Sequence, residues 1–182
     1  MLKQDILKTY NRVSGGKIKK IIVCFRTPGV HAVIALRFGQ WLKKKNIIIQ
    51  ILLTPLYILL NHRIQTKWGI EIPWSAQIKE GFYIGHFGGI IINGNARIGK
   101  DVNISPGVII GRSGQGETAG VPVIGDNVYI GPGVKIFGKI TIGNNVKIGA
   151  NAVVYQDIPD NAIVVLDPGF KIISHKGNYP VA

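Results

Sequence analysis

The sequence predicts a parallel β-helix, and three features of one long stretch support this fold class. The first is a period of six, in which an aliphatic side chain returns between residues 72 and 154. A six-residue period fits neither a helix, with about 3.6 residues per turn, nor a hairpin sheet, and it is typical of hexapeptide solenoids. The positions that carry the period are Ile72, Ile78, Ile84, Ile92, Ile98, Ile104, Ile110, Ile124, Ile130, Ile136, Ile142, Ile148 and Val154.

The other two features are a second apolar residue two positions earlier in most hexads and a glycine that often follows. Each hexad predicts one short strand and one turn, and three hexads close a triangular coil whose aliphatic residues stack inward. Glycine and asparagine suit the corners, which need backbone conformations that other residues resist. Thirteen hexads give a little over four coils, more than the roughly three repeats that a solenoid needs.

The six-residue register is interrupted twice. Two extra residues enter around the segment 85–89, which carries His86, and a longer loop is extruded around 112–120. Insertions in a solenoid go to the surface and often form binding faces. His86 is the only histidine among the repeats and is therefore the first candidate for chemistry.

Residues 1–69 precede the repeats and predict helices. Thr27-Pro28 has the composition of an N-cap and a first helical turn, and Lys43 to Lys45 suit a helix end. The stretch 47–60 is mostly apolar, but about fourteen residues are too few for a bilayer span, which needs roughly 20. One helical face is predicted to hold Val30, Val33, Ile34, Trp41 and Leu42.

The positive charge is concentrated in the same segment. Residues 1–69 hold thirteen of the 22 Lys and Arg residues against one acid, Asp5, whereas the repeats are almost neutral. Three interpretations are open: a helical cap on the β-helix, a peripheral contact with an anionic membrane, and nucleic-acid binding, for which no recognised motif is present. The first two are compatible with each other.

The predicted organisation is a basic, apolar helical segment (1–69), a β-helix domain (70–166) and a tail (167–182). The single Cys24 cannot form an internal disulfide, which fits a reducing cytosol. Residues 1–10 lack the hydrophobic region of a secretory signal. The sequence therefore predicts a cytoplasmic protein, with a peripheral location at the inner membrane face as an open alternative.

Two motifs extend the argument from fold to family. An acid-Ile-x-x-x-Ala-x-Ile element followed by His-x-x-Gly is present as Glu71-Ile72-Pro73-Trp74-Ser75-Ala76-Gln77-Ile78 and His86-Phe87-Gly88-Gly89. Later, Gly111-Arg112-Ser113-Gly114 opens the extruded loop, and the segment 128–136 reads VYIGPGVKI. Over about residues 70–158, the chain resembles the serine acetyltransferase branch of the left-handed β-helix acyltransferases.

The resemblance implies that His86 is the general base and that Glu71 replaces the aspartate that orients it. A substrate hydroxyl is a poor nucleophile until a base takes its proton, and an imidazole suits this task near neutral pH. A carboxylate on the other ring nitrogen fixes the tautomer and stabilises the imidazolium.

The resemblance also implies acetyl-CoA as acyl donor, bound along the outside of the β-helix between the subunits of a homotrimer. Gly111 matches a position whose backbone N–H could face the thioester oxygen. Pro132 and Ala150 match pantetheine contacts. The candidate partners of the CoA phosphates are Lys135, Lys147 and Lys171.

Two departures from the family pattern bear on the acceptor. Gly85 stands where the family has an aspartate, and Gly120-Val121-Pro122 stands where it has Arg-His-Pro. Charged groups that would recognise an amino acid are therefore missing, and a site without them should bind a zwitterion poorly. This predicts a sugar or lipid-linked polysaccharide acceptor, as in capsule and exopolysaccharide synthesis. Serine O-acetylation is the alternative.

Other functions of the same fold fit less well. A carbonic anhydrase of this fold needs three histidines on zinc, but His31 and His62 precede the repeats and His175 follows them, so no metal is predicted. A non-catalytic trimeric scaffold and N-acylation of an amino sugar remain minor alternatives.

Overall fold

The computed structural model describes residues 1–116 and 119–166, and over these it has helices followed by short strands. Four helices come first: α1 (Leu2–Arg12), α2 (Lys17–Arg26), α3 (Pro28–Leu42) and α4 (Ile47–Trp68). The strands are β1 (Ile70–Glu71), β2 (Gln77–Ile78), β3 (Tyr83–Ile84), β4 (Ile90–Ile92), β5 (Arg97–Ile98), β6 (Asn103–Ile104), β7 (Ile109–Gly111), β8 (Val123–Ile124), β9 (Tyr129–Ile130), β10 (Lys135–Phe137), β11 (Thr141–Ile142), β12 (Lys147–Ile148), β13 (Val153–Val154) and β14 (Ile163–Val164).

The strands form three parallel sheets, which are the three faces of a prism. Sheet A has the order β1-β4-β7-β10-β13, sheet B β2-β5-β8-β11 and sheet C β3-β6-β9-β12-β14. Successive strands of the chain lie in different sheets, so each coil contributes one strand to each face. This is the predicted left-handed β-helix, and the fold prediction is confirmed.

The core is the stack of aliphatic residues that the six-residue period predicts. In sheet A, for example, Ile92 pairs with Ile110, and Ile110 pairs with Ile136. All three side chains are at most 1% exposed. Because the strands are only two or three residues long, each contributes one or two side chains to this column, and burial comes from stacking coils rather than from any single strand.

The corners need left-handed backbone, and asparagine supplies much of it. At the edge between sheets B and C, Asn127, Asn145 and Asn161 have φ of 55°, 57° and 63°. Their side chains form a ladder, in which Asn127 donates to Asn145 (2.9 Å) and Asn145 donates to Asn161 (3.0 Å). Asparagine tolerates this conformation better than most residues, so the ladder explains why it recurs.

The helical segment packs on the first coil. A Cβ on Gly29 of α3 would lie 2.1 Å from the carbonyl oxygen of Ile84, so only glycine allows this close approach. Arg37 of α3 donates to Asp5 of α1 (2.8 Å) and to the carbonyls of Ile78 and Lys79 (2.6 and 2.7 Å). Helix α3 is therefore held against the first coil of the β-helix by close packing and by hydrogen bonds.

Helix α3 begins where the sequence predicts, but it differs from the prediction at Thr27 and at Trp41. It begins at Pro28 with Thr27 as N-cap, but the Thr27 hydroxyl donates backwards to Val23 (2.8 Å) instead of capping α3. Val30, Val33 and Leu42 of the predicted face are buried, whereas Trp41 is 44% exposed.

Helix α4 is longer than the apolar stretch that predicts it. It begins at Asn46, whose side chain accepts from the Ile49 N–H, and continues through Pro55 to the left-handed C-cap Gly69. By length and composition it could cross a membrane, and 11% of its most apolar window is buried. Tyr57 and Ile64 form its buried face, whereas the first turns expose Ile47, Ile48, Ile51 and Leu52.

Candidate active site

His86 lies in the turn that joins sheet C to sheet A, between β3 and β4. Gly88 and Gly89 close this turn with φ of 109° and 63°, a conformation that glycine adopts without strain. The two inserted residues push the turn outward, so that His86 and Phe87 are both exposed. The insertion noticed in the sequence therefore presents an imidazole to solvent at one edge of the prism, which is called the C–A edge below.

Successive coils are stacked in register along the C–A edge. Gly107 donates to the Gly88 carbonyl, Gly133 to the Pro106 carbonyl and Asn151 to the Pro132 carbonyl, each at 2.8 Å. The chain thus brings His86, Pro132 and Ala150 to one edge, although they are far apart in sequence. Pro132 and Ala150 are exposed there.

Glu71 lies on sheet A, next to the strand that follows the histidine turn. It pairs in register with Ile91 of β4, and its side chain faces solvent. Neither the carboxylate of Glu71 nor the imidazole of His86 makes a hydrogen bond or ion pair within residues 1–116 and 119–166. The two residues are on neighbouring coils but are not joined.

The space beside Gly85 is filled by a tyrosine that the sequence reasoning missed. A Cβ on Gly85 would lie 3.1 Å from Cε1 and 3.2 Å from Oη of Tyr83, so a larger residue there would crowd the ring. The guanidinium of Arg12 lies 4.2 Å from the centroid of the same ring and donates to Asn103 (3.2 Å). The sequence could have pointed to Tyr83, because it holds the outward position of its hexad just before the inserted turn.

The second insertion is an arm that leaves the prism between β7 and β8, at the edge joining sheets A and B. Ser113 and Gly120 exchange two backbone hydrogen bonds (3.1 and 3.0 Å) and close its base. Gly111 ends β7 just before the arm, and a Cβ there would lie 2.8 Å from the Phe137 ring. Within one subunit, Gly111 and His86 are thus at different edges of sheet A.

The candidate phosphate-binding lysines differ in what they contact. The ammonium of Lys135 donates to the Gly107 carbonyl on the C–A edge, so it is engaged in holding the coils together. Lys147 is exposed, with its ammonium 5.9 Å from the centroid of the Tyr129 ring. Lys171 lies outside the described residues, as does His175.

No other feature of the described chain competes with this edge as a catalytic site. A cavity of about 780 Å³ lies between α1, α3 and the first coil, but it is mostly apolar and neither His86 nor Glu71 lines it. Among residues 1–116 and 119–166 there is no group of three or more His, Cys, Asp or Glu side chains arranged to hold a metal ion.

A family of transferases and several serine acetyltransferases are similar to this chain in sequence. The bacterial transferase hexapeptide family (six repeats) matches residues 122–156. A serine acetyltransferase of Helicobacter pylori is 37% identical over 138 residues, which are 76% of this chain and 77% of that protein. One of Mycobacterium tuberculosis is 38% identical over 150 residues, 82% of this chain and 62% of that protein.

Solved structures give the same result. The serine acetyltransferase of Neisseria gonorrhoeae in complex with serine matches with a TM-score of 0.74 and 29% identity, over 92% of this chain and 65% of that one. The enzyme of Brucella abortus in complex with coenzyme A matches with a TM-score of 0.75 and 27% identity, over 92% and 64%. The chain thus spans under two thirds of the length of several of these relatives.

These relatives correct one prediction from the sequence. The missing charged residues at Gly85, Gly120 and Val121 predicted a sugar or polysaccharide acceptor, and this prediction is wrong, because the relatives are serine acetyltransferases. The departures from the family pattern affect a few positions, whereas the similarity covers most of the chain. The relatives favour the alternative, serine O-acetylation, and give no indication of capsule or exopolysaccharide synthesis.

Proposed function

Because the chain belongs to the serine acetyltransferase family of hexapeptide-repeat acyltransferases, we propose that it transfers the acetyl group of acetyl-CoA to the hydroxyl of L-serine. The observation that carries this proposal is the exposed imidazole of His86, in a turn that the inserted residues push out of the C–A edge. Pro132 and Ala150, which match positions of CoA contact, lie on the same edge.

In the proposed reaction, His86 takes the proton of the serine hydroxyl as its oxygen attacks the acetyl carbonyl carbon. A C–O bond forms and the C–S bond of the thioester breaks. The CoA thiolate leaves and takes the proton back from the imidazolium. General-base assistance of this kind contributes about 10²- to 10⁴-fold to the rate.

Glu71 is proposed as the residue that orients the base. Glu71 pairs in register with β4, the strand that follows the His86 turn. Its carboxylate has no other partner among residues 1–116 and 119–166. A carboxylate free of competing ion pairs can turn towards an imidazole nitrogen when the site closes around substrate, which is when catalytic hydrogen bonds tighten.

The donor would lie along the outside of the β-helix. Gly111 can offer its backbone N–H to the thioester oxygen, and the Phe137 ring beside it restricts that position to glycine. Of the lysines, Lys147 is the better candidate for a CoA phosphate, because its ammonium is exposed while that of Lys135 is bound to a carbonyl. Lys171 is retained as a candidate from the resemblance.

The acceptor pocket would have to hold a zwitterion without the family's aspartate and arginine-histidine pair. Arg12 supplies a cation at the Tyr83 ring, next to Gly85, and is exposed.

We propose a homotrimer in the cytoplasm, where acetyl-CoA is available, so that Gly111 of one subunit can meet His86 of another. Contact of residues 1–69 with a membrane is a separate proposal, which rests on the surface of the helical segment.

The proposal is tested by following CoA thiol release from acetyl-CoA with and without L-serine. The wild type should show serine-dependent release, and His86→Ala should lower kcat by about 10²- to 10⁴-fold. His62→Ala is the matched control, because His62 is an exposed histidine of α4 and should leave kcat unchanged. Serine-dependent release that persists in a folded His86→Ala variant, or wild-type protein that is inactive with serine, would contradict the proposal.

A further inference from the structure

Helix α2 carries an apolar stripe that the described part of the chain leaves uncovered. Ile18, Ile21, Ile22 and Phe25 follow the spacing of one helical face. Their exposed fractions are 77%, 49%, 51% and 68%. This is the pattern of a helix face made to be buried, yet nothing within residues 1–116 and 119–166 buries it. The stripe is called the α2 face below.

The opposite side of α2 holds the helix to the molecule. Cys24 is its buried residue. The ammonium of Lys20 lies 5.0 Å from the centroid of the Tyr10 ring in α1. The Thr27 hydroxyl donates to Val23 and secures the end of the helix. The α2 face is therefore not needed to hold α2 in place, and polar substitutions on it should cost little folding free energy.

Cations flank the α2 face. The side chains of Lys17, Lys19 and Arg26 are exposed, make no hydrogen bond or ion pair with residues 1–116 and 119–166, and have no acidic neighbour in the same helix. The wider segment 1–69 holds thirteen Lys and Arg residues against the single acid Asp5, which is already paired with Arg37. The surface that receives this face must therefore supply negative charge.

A second copy of the chain related by a two-fold axis does not supply it. A two-fold contact through the α2 face would place the same residues on both sides, so the lysines of one copy would meet those of the other. An anionic bilayer surface instead offers phosphate groups to the lysines and an apolar layer to the isoleucines and phenylalanine. Short amphipathic helices with basic flanks bind in the plane of such surfaces.

We propose that the α2 face binds the surface of an anionic phospholipid bilayer, with α2 lying parallel to the membrane. Ile18, Ile22 and Phe25 enter the boundary between headgroups and acyl chains. Lys17, Lys19 and Arg26 contact the lipid phosphates. The contact is peripheral, because α2 is only 10 residues long and a span needs roughly 20.

The test is co-sedimentation of the full chain with vesicles of phosphatidylcholine alone or of phosphatidylcholine with phosphatidylglycerol. The wild type should bind the vesicles with phosphatidylglycerol and release them as salt rises. Ile18→Gln/Phe25→Gln should lower the partition coefficient by at least about tenfold. Lys17→Gln/Lys19→Gln should lower it by at least about fivefold. Ile163→Gln, which changes an equally exposed isoleucine in β14 (74%), should not change it.

Three results would overturn the proposal. The first is no binding of the wild type to vesicles that contain phosphatidylglycerol. The second is equal binding by wild type and Ile18→Gln/Phe25→Gln. The third is a concentration-dependent association in solution that this double variant abolishes, which would assign the α2 face to contact between copies. The CoA-release assay is run on the same proteins without lipid, so a failure of vesicle binding is distinguishable from a failure of serine acetylation.

Discussion

The ion pair between Asp5 and Arg37 shows how single residues join the helical segment to the β-helix. Both side chains are almost fully buried, and their buried nitrogen and oxygen atoms all have hydrogen-bond partners. Arg37 reaches two carbonyls of the first coil, and Asp5 accepts the backbone N–H of Phe82 at 2.9 Å. Asp5 stands out in the sequence as the single acid of residues 1–69, but its partner does not, because residues 32 positions apart cannot be matched without the fold.

Removing one partner of this pair should strongly destabilise the fold. Arg37→Met leaves the Asp5 carboxylate buried with a single N–H, and we expect it to lower the free energy of unfolding by about 3–5 kcal/mol. Urea unfolding at a fixed protein concentration measures the loss. Asp5→Leu/Arg37→Met should recover part of it, because no charge is then left buried.

An exposed pair provides the control for this experiment. Lys100 and Glu80 are 3.0 Å apart at the surface, and water screens their attraction. Lys100→Gln should leave the urea midpoint close to that of the wild type. An equal effect of Arg37→Met and Lys100→Gln would show that burial of the first pair does not matter for stability.

At the level of elements, the sequence was most informative where the structure is most repetitive. Strands β1 to β13 follow from the inward aliphatic residues of the hexads, because a period of six can be satisfied only by coils that stack in register, whereas β14 lies beyond the last predicted hexad. The apolar residues of α2 give no such guide to packing, since Ile18, Ile22 and Phe25 lie at the spacing of one helical face and yet face outward. The outward position of Tyr83 could be predicted from the sequence, but its crowding of Gly85 could not, because the crowding depends on the direction of the ring.

The asparagine ladder gives an element-level prediction at Asn145. Asn145→Ala loses the side-chain bonds to Asn127 and Asn161 and must also place a Cβ residue at φ near 57°. Asn145→Gly loses only the bonds. Because left-handed backbone costs an ordinary residue about 1–2 kcal/mol, stability should fall in the order Asn, Gly, Ala, the reverse of the usual Gly and Ala ranking. Thermal unfolding of the three proteins decides this, and an alanine variant more stable than the glycine variant would contradict it.

At the scale of the whole molecule, sheet A is the face best suited to contact another subunit. Its outward residues are in register from coil to coil and are mainly aliphatic in β4, β7 and β13. The outward column is Glu71, Ile91, Ile109, Lys135 and Val153. Sheet B presents a more polar column, Gln77, Arg97, Val123 and Thr141, and sheet C a mixed one, in which Tyr83, Tyr129 and Ile163 alternate with Asn103 and Lys147. Sheet A also lies between the edge that carries His86 and the edge that carries Gly111. A second subunit packed on sheet A could therefore bring its Gly111 close to His86 of the first.

The proposed trimer should therefore depend on the outward side of sheet A. Light scattering coupled to size exclusion should give three times the 19.8 kDa of one chain for the wild type. Ile91→Asp should reduce this mass towards that of a single chain and lower serine-dependent CoA release with it, because a buried unpaired carboxylate is costly. Val123→Asp is the matched control: Val123 is 39% exposed on sheet B against 41% for Ile91 on sheet A. Loss of the trimer in Val123→Asp but not in Ile91→Asp would move the contact to sheet B, and the site shared between subunits would then have to form around a different edge.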